Sequence, residues 1–340
     1  MLVLLVVLAL IYSFLNGYRD SSSILAGVIA SRAMRPRVAL YLVAAAELIA
    51  PFFFGSAVAR SITTGLVNTS AVSLSTIVIA MVAAVAWSFF CWWRGIPSSS
   101  THALIGGLLG AALILNGPRA VFTSGILFII LPLILAPVVG FLLGFMVMGL
   151  LLSVLSLATP KINQLFRDMQ VGTAVLLAMS NSANDAHKSM GIIVLGLVLA
   201  GQMSGFQVPF WVAAACAGAL ALGASRGDWR QIRNLGGRIY RIRPLNALAS
   251  QVVSSSVVLA ASAFGMPVST SHIITTALMG SGASERVNKV RWHVASEMVT
   301  TWVLTIPATM AVSVLVILAI SGLQRFGGNF GLMMQAFTVR

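Results

Sequence analysis

Ser98-Ser99-Ser100-Thr101-His102 and Ser269-Thr270-Ser271-His272 set runs of hydroxyls ahead of an imidazole in a chain that is otherwise mostly apolar. Gly95-Ile96-Pro97 precedes the first run and Gly265-Met266-Pro267-Val268 the second, an offset of 170 in 340 residues. Glycine ends helices and proline cannot continue them, so both strings read as helix breaks. The piece of helix that follows a break begins with backbone N–H groups that have no partner in the helix. Those N–H groups, with hydroxyls beside them, are the donors that replace the water shell of a small tetrahedral oxyanion. Ser99, Ser100, Thr101, Ser269, Thr270 and Ser271 are therefore the candidate anion ligands. His102 and His272 either hydrogen-bond the broken backbone or touch the anion or a proton directly.

A second pair of strings is acidic. Asn16-Gly17-Tyr18-Arg19-Asp20, followed by Ser21-Ser22-Ser23, returns 165 residues later as Asn181-Ser182-Ala183-Asn184-Asp185, followed by Ala186-His187-Lys188-Ser189. Each reads as a polar interruption at the opening of its half. Asp20 and Asp185 repel an anion but suit a hard cation or a proton. Anion donors beside carboxylates thus imply cation-coupled entry, the cation offsetting the repulsion. A plainer account is neutralising ion pairs: Asp185 and Lys188 are spaced to meet on one helix face, and Arg19 adjoins Asp20. His187 is a candidate proton carrier. Glu47 and Glu297, within apolar segments, read as a cation relay or as partners of polar groups on neighbouring helices.

These residues need a membrane to hold them. The chain is 59% hydrophobic and only 8% charged, with a mean hydropathy of +0.98. A soluble domain carries roughly 25% charged residues. The apolar runs are helical in length, which predicts an all-α polytopic membrane protein rather than a barrel. They fall at 1–30, 38–59, 73–93, 96–116 and 121–152, then at 170–200, 208–224, 245–263, 266–283 and 292–321. The run 121–152 is long and holds Pro132, Pro137 and Gly140, so it reads as tilted, kinked or split. The first run resembles a signal-peptide core but lacks a basic start and resumes beyond Ser23, so it reads as a span.

Five segments in each half, an odd number, would set the halves in opposite orientations: two inverted repeats, with broken helices or re-entrant hairpins at the centre. The expected organisation is a first repeat over 1–152, a linker 153–169, a second repeat over 170–321 and a tail 322–340. The basic residues fit alternating sides. Fifteen of the 21 lie in 31–37, at Arg94, and in 153–169, 225–244 and 284–291, against four at Arg60, Arg119, Arg325 and Arg340. The loops rich in Lys and Arg belong in the cytoplasm, which places both termini outside. The net charge of +14 is therefore an orientation signal rather than a nucleic-acid footprint. Cys91 and Cys216 lie in apolar segments and suggest neither a disulfide framework nor a metal site.

At these strings the chain resembles the inorganic phosphate transporter (PiT) family, cation-driven phosphate permeases. Asn184-Asp185-Ala186-His187-Lys188-Ser189-Met190-Gly191, Leu222-Gly223 with Gly227-Asp228-Trp229-Arg230, Gly265 to His272, Trp292, and Trp302 with Pro307 follow in the family's order. Asn16, Gly17, Asp20, Ser31-Arg32-Ala33 and Gly95 to His102 carry the resemblance in the first half. The resemblance spans essentially the whole chain. It implies phosphate, free or as a metal–phosphate complex, held near mid-membrane by Ser99, Ser100, Thr101, Ser269, Thr270 and Ser271. It also implies Asp20, Asn184 and Asp185 around a co-transported proton or sodium ion, and a homodimer. Four positions depart from the family's pattern. Ser23 stands where an Asn is usual, and losing its amide oxygen bears on the first-half cation site. Asn181-Ser182 replaces His-Gly. His187 replaces Gln and bears on protons.

The expectation is a secondary phosphate:cation symporter of the bacterial plasma membrane, with no bound cofactor. Sulfate is the alternative cargo within transport. Phosphate can donate a hydrogen bond near neutral pH and sulfate cannot, so an acceptor such as Asp at the anion would favour phosphate. An anion channel needs a continuous polar path, which paired broken helices do not suggest. No P-loop or metal-ligand cluster points to an enzyme.

Overall fold

The computed structural model describes residues 1–232 and 239–337, so Arg233, Arg238 and Arg340 of the charge pattern lie outside the described residues. Ten principal helices account for the ten apolar runs. They are α1 (Leu2–Ala30), α2 (Pro36–Ile49), α3 (Leu74–Arg94), α4 (Ser100–Asn116), α5 (Thr123–Val154), α6 (Ile162–Leu199), α7 (Phe210–Arg226), α8 (Pro244–Ala263), α9 (Thr270–Glu285) and α10 (Trp292–Phe337).

Five of these, α1, α3, α5, α8 and α10, are long and apolar enough to cross a membrane. A further apolar pair, Pro36–Phe52 and Ala57–Gly65, is bent by 70° at its break and forms a broken span or a re-entrant loop. Helix α6 has the length but carries the buried string Ser180–Ser189, which lowers its hydropathy. Helices α4 and α9 have 17 and 16 residues. At about 1.5 Å per residue they are too short for a hydrocarbon core of ~30 Å, as expected of helices that begin inside it.

The structure changes several expectations. Helix α5 runs unbroken through Pro132 and Pro137, where a split was one reading. Proline is tolerated inside such helices because neighbouring helices and local adjustments satisfy the freed carbonyl. Helix α6 begins at Ile162, which shortens the linker 153–169, and α10 continues past 321 into the expected tail. The acidic strings do not interrupt their helices: α1 and α6 are continuous through both.

The helix contacts repeat with a step of five. Helix α3 packs on α4 as α8 packs on α9; α1 on α3 as α6 on α8; α4 on α10 as α9 on α5; α1 on α7 as α6 on α2. Close contacts in membranes rely on small residues, because there is no hydrophobic drive between helices in lipid. A Cβ on Gly17 would collide with the Leu220 carbonyl, and one on Gly223 with that of Phe14, so α1 and α7 touch backbone to backbone. Gly110 against Met310 and Gly280 against Phe141, again 170 residues apart, do the same for α4–α10 and α9–α5.

Candidate functional site

The two breaks have the same local chemistry. Gly95 and Gly265 sit at φ 68° and 70°, the left-handed region that glycine enters without a Cβ clash. At the first, the Gly95 N–H donates to Trp92 O (3.1 Å) and the Ile96 N–H to Cys91 O (2.8 Å). At the second, Gly265 donates to Ser262 O (3.0 Å) and Met266 to Ala261 O (2.8 Å). Both are glycine-capped helix ends with the same pair of closing bonds. Pro97 and Pro267 then keep the chain extended until α4 and α9 restart at Ser100 and Thr270.

Each hydroxyl triplet therefore occupies the N-cap and first two positions of a helix, where N–H groups are unpaired and the helix dipole favours negative charge. Ser99 Oγ caps α4 by accepting from the His102 N–H (3.3 Å). Ser269 Oγ lies 3.4 Å from Ser271 Oγ. Thr270 is buried and its hydroxyl has no partner among the described residues.

Helix α6 ties the two breaks together. The Lys188 side chain is fully buried. Its Nζ donates to Thr101 Oγ1 (2.6 Å) and to the Val268 carbonyl (2.8 Å), and it is ion-paired with Asp185. Thr101 in turn donates to Val268 O (2.9 Å). The Asp185–Lys188 pair anticipated from i, i+3 spacing is thus present, but its ammonium also reaches both hydroxyl strings. Asn184 pins the second break: its Nδ2 donates to Ser262 Oγ (3.0 Å) and Met266 O (3.1 Å), and its Oδ1 accepts from the Val268 N–H (3.1 Å).

The first break is held differently. Arg19 does not pair with Asp20, as its adjacency suggested; its guanidinium donates to the Ser98 carbonyl. Neighbouring residues on a helix point different ways, which is why the adjacency misled. Tyr12 donates to the Ser100 carbonyl (2.9 Å). Asp20, also buried, lies close enough to Asp185 for their charges to interact. Asn16 is buried beside Tyr12, and Ser23 is buried with a hydroxyl that has no partner among the described residues.

The remaining candidates divide. Glu47 is buried on α2, its Oε1 accepting from Asn181 Nδ2 (2.8 Å) and its backbone carbonyl from Ser182 Oγ (2.7 Å). Glu297 on α10 is solvent-exposed, 3.7 Å from His293, and lines the cavity beside the site rather than pairing within the bundle. A helix can hold an apolar average and still turn one residue outward. His187 Nδ1 bonds the Ala183 carbonyl of its own helix (2.8 Å). The rings of His102 and His272 lie 5.0 Å apart, and His272 stacks on Trp302 at 3.8 Å. Tyr12 was missed in the sequence, although it stands four residues before Asn16 on the same helix face; Val268 acts through its carbonyl and has no side-chain signal at all.

A cavity of about 300 Å³ lies against this centre, lined by Arg19, Gly95, Pro97, Asp228, Arg230 and Thr301 among others. A smaller one, lined by Ser23, Ser98, Ser271 and His272, touches both strings. The larger cavity lies on the side of the basic segments at Arg226–Arg230 and Arg241–Arg243. Among the described residues no group of His, Cys, Asp and Glu has the arrangement of a metal site.

Comparison with known proteins gives a consistent picture. A sequence model of the phosphate transporter family matches residues 16–313. A protein of Bacillus subtilis described as a probable low-affinity inorganic phosphate transporter is 38% identical over 309 residues, covering 90% of this chain and 92% of that protein. A protein of Rhizobium meliloti with the same description is 37% identical over 317 residues, covering 93% and 95%. Among solved structures, one titled the sodium-dependent phosphate transporter superposes with a TM-score of 0.84 at 21% identity, covering 94% of this chain and 98% of that one, which establishes a shared fold.

Proposed function

The chain belongs to the phosphate transporter family, a multi-pass membrane transporter rather than an enzyme, and on that premise we propose that it imports inorganic phosphate with a proton or sodium ion by alternating access. One observation carries the reading: the N-termini of α4 and α9, each opening with three hydroxyl residues, converge on a buried Asp–Lys pair. Donors for an oxyanion and a carboxylate for a cation then share one centre, so the cargo's charge is offset as it leaves water. Phosphate, free or complexed to a metal ion, is held by Ser99, Ser100, Ser269, Thr270 and Ser271. Thr101 joins them only when Lys188 and Val268 release its hydroxyl.

The matched helix contacts support two repeats of five helices, and the alternation of basic loops supports their inversion, so that one repeat can rock against the other. The arginines lining the larger cavity draw anions toward that side, which by the loop charges is the cytoplasm of a bacterial cell, with both termini outside. A homodimer is consistent with the family reading.

Radiolabelled phosphate uptake into proteoliposomes tests the proposal. Uptake is expected only under an imposed proton or sodium gradient, with excess sulfate competing poorly. Ser100→Ala combined with Thr270→Ala is expected to raise the phosphate concentration for half-maximal uptake at least tenfold, the loss of about one charge-assisted bond or more. Uptake indifferent to both gradients would sink the coupling, and unchanged affinity in the double variant would make the hydroxyls structural.

A further inference from the structure

The Lys188 ammonium is held as a hard cation is held. Its contacts are a carboxylate (Asp185), a hydroxyl (Thr101, 2.6 Å) and a backbone carbonyl (Val268, 2.8 Å), all oxygen, drawn from α6, α4 and the break before α9. This is the mixed oxygen donor set that alkali and other hard cations choose. The other Asp185 oxygen, Oδ2, is buried and unpartnered, so the ammonium does not exhaust the carboxylate. A fully buried lysine is costly unless paired, and this one joins the three segments that build the anion site.

The first half has the same framework without the ammonium. Asp20 and Ser23 stand at the i, i+3 spacing of Asp185 and Lys188. Among the described residues no salt bridge reaches Asp20. Among the described residues Ser23 Oγ is buried with no hydrogen-bond partner, and Asn16, on the same helix, lies beside Tyr12. Ser23 also lines the small cavity that reaches Ser271. The two carboxylates thus lie side by side at one centre, within reach of the Lys188 and Arg19 charges, but only Asp185 holds an ammonium directly, and the position beside Asp20 that Lys188 fills in the other half is taken by Ser23.

We propose that Lys188 is a tethered cation: its ammonium, anchored on Asp185, occupies the second-half counterpart of a monovalent-cation site, and the mobile coupling cation enters only at Asp20–Ser23. The proposal rests on the symport reading and makes it more specific, because such a carrier moves one mobile cation fewer than a carrier with both positions open. The covalent tether removes the entropy of capturing a second ion and keeps Thr101 and Val268 in register when the first site is empty.

Cation binding to detergent-solubilised protein tests this independently of transport. Lys188→Ala should bind one additional equivalent of radiolabelled sodium or methylammonium per protomer relative to the wild type. Adding Asp185→Asn should remove that equivalent. In proteoliposomes the uptake lost by Lys188→Ala should return when methylammonium or sodium is supplied. A monodisperse Lys188→Ala protein that binds no extra cation overturns the proposal. Should that variant fail to fold, the wild type decides. Sodium bound plus protons taken up on adding phosphate should total one mobile cation, lost in Asp20→Asn, and a total of two overturns the proposal. Wild-type uptake, run in parallel, reports separately on the symport reading, since the binding counts stand whether or not phosphate accumulates.

Discussion

Asn184→Ala is the most informative single substitution for the architecture of the site. Its side chain makes three buried hydrogen bonds at 3.0 to 3.1 Å, to Ser262 Oγ, Met266 O and the Val268 N–H, all on the break between α8 and α9. Alanine deletes all three and leaves the partners unpaired. Side-chain bonds between helices in membranes contribute about 0.6 kcal/mol on average and at most about 1.7, so three give roughly 2 to 5 kcal/mol. Even the lower figure raises the local opening of the break about 30-fold, since 1.4 kcal/mol is a factor of ten. Hydrogen–deuterium exchange of the protein in nanodiscs reads this directly. Peptides spanning 262–272 should exchange at least about 30-fold faster. Peptides spanning 95–102 should change far less, because that break is held independently by Arg19 and Tyr12 and meets the second only through Thr101. Asn184→Asp, which keeps an acceptor for the Val268 N–H and loses the two donations, should fall between. Unchanged exchange at 262–272, or an equal rise at both breaks, would refute the assignment of Asn184 as the pin of the second break.

Two further expectations concern packing and charge. Gly17→Leu should separate α1 from α7, because even a Cβ there meets the Leu220 carbonyl; overpacking of this kind costs about 1 to 3 kcal/mol or more, and a variant that melts with the wild type would contradict the backbone contact. At the edge of the bundle Glu285 accepts from Asn246 (2.6 Å) and is ion-paired with Lys289 (2.7 Å). Partial burial alone would raise its carboxyl, but the hydrogen bonds from Lys289 and Asn246 and the charges of Lys289 and Arg243 outweigh this and hold it below the usual range. A depressed carboxyl stabilises the fold above its unfolded value of about 4.3 and loses that contribution as pH falls through the folded value. The melting gap between wild type and Glu285→Gln should therefore hold from pH 7 to about 5 and shrink as pH falls below about 4.3 toward the folded value, and a gap constant down to about pH 3 would show that the charge is not the source.

Much of this molecule is determined by the sequence alone, where the cause is local. A glycine that can enter the left-handed region, followed two residues later by a proline, ends a helix wherever it occurs, so the breaks at Gly95 and Gly265 and the hydroxyl caps behind them were legible residue by residue. The ten apolar runs likewise become ten helices, because lipid leaves the backbone no other partner than itself. The i, i+3 spacing of Asp185 and Lys188 is a property of one helix, and that pair forms. What the tertiary structure alone decided is which distant groups meet. Lys188 reaches Thr101 and Val268, Arg19 turns from Asp20 to Ser98, and Asn184 closes on a break about 80 residues away. Glu47 is drawn into a buried hydrogen bond and Glu297 left at the open wall of the cavity by the same kind of choice. The reason is geometric. A helix presents every side chain at about 100° from the last, and which direction becomes the interior depends on where the neighbouring helices pack. That placement rests on contacts such as Gly17 on Leu220 and Gly280 on Phe141, whose partners lie more than a hundred residues apart. The two hydroxyl strings were visible as a repeat, but their union through a single buried ammonium is a property of the packed bundle.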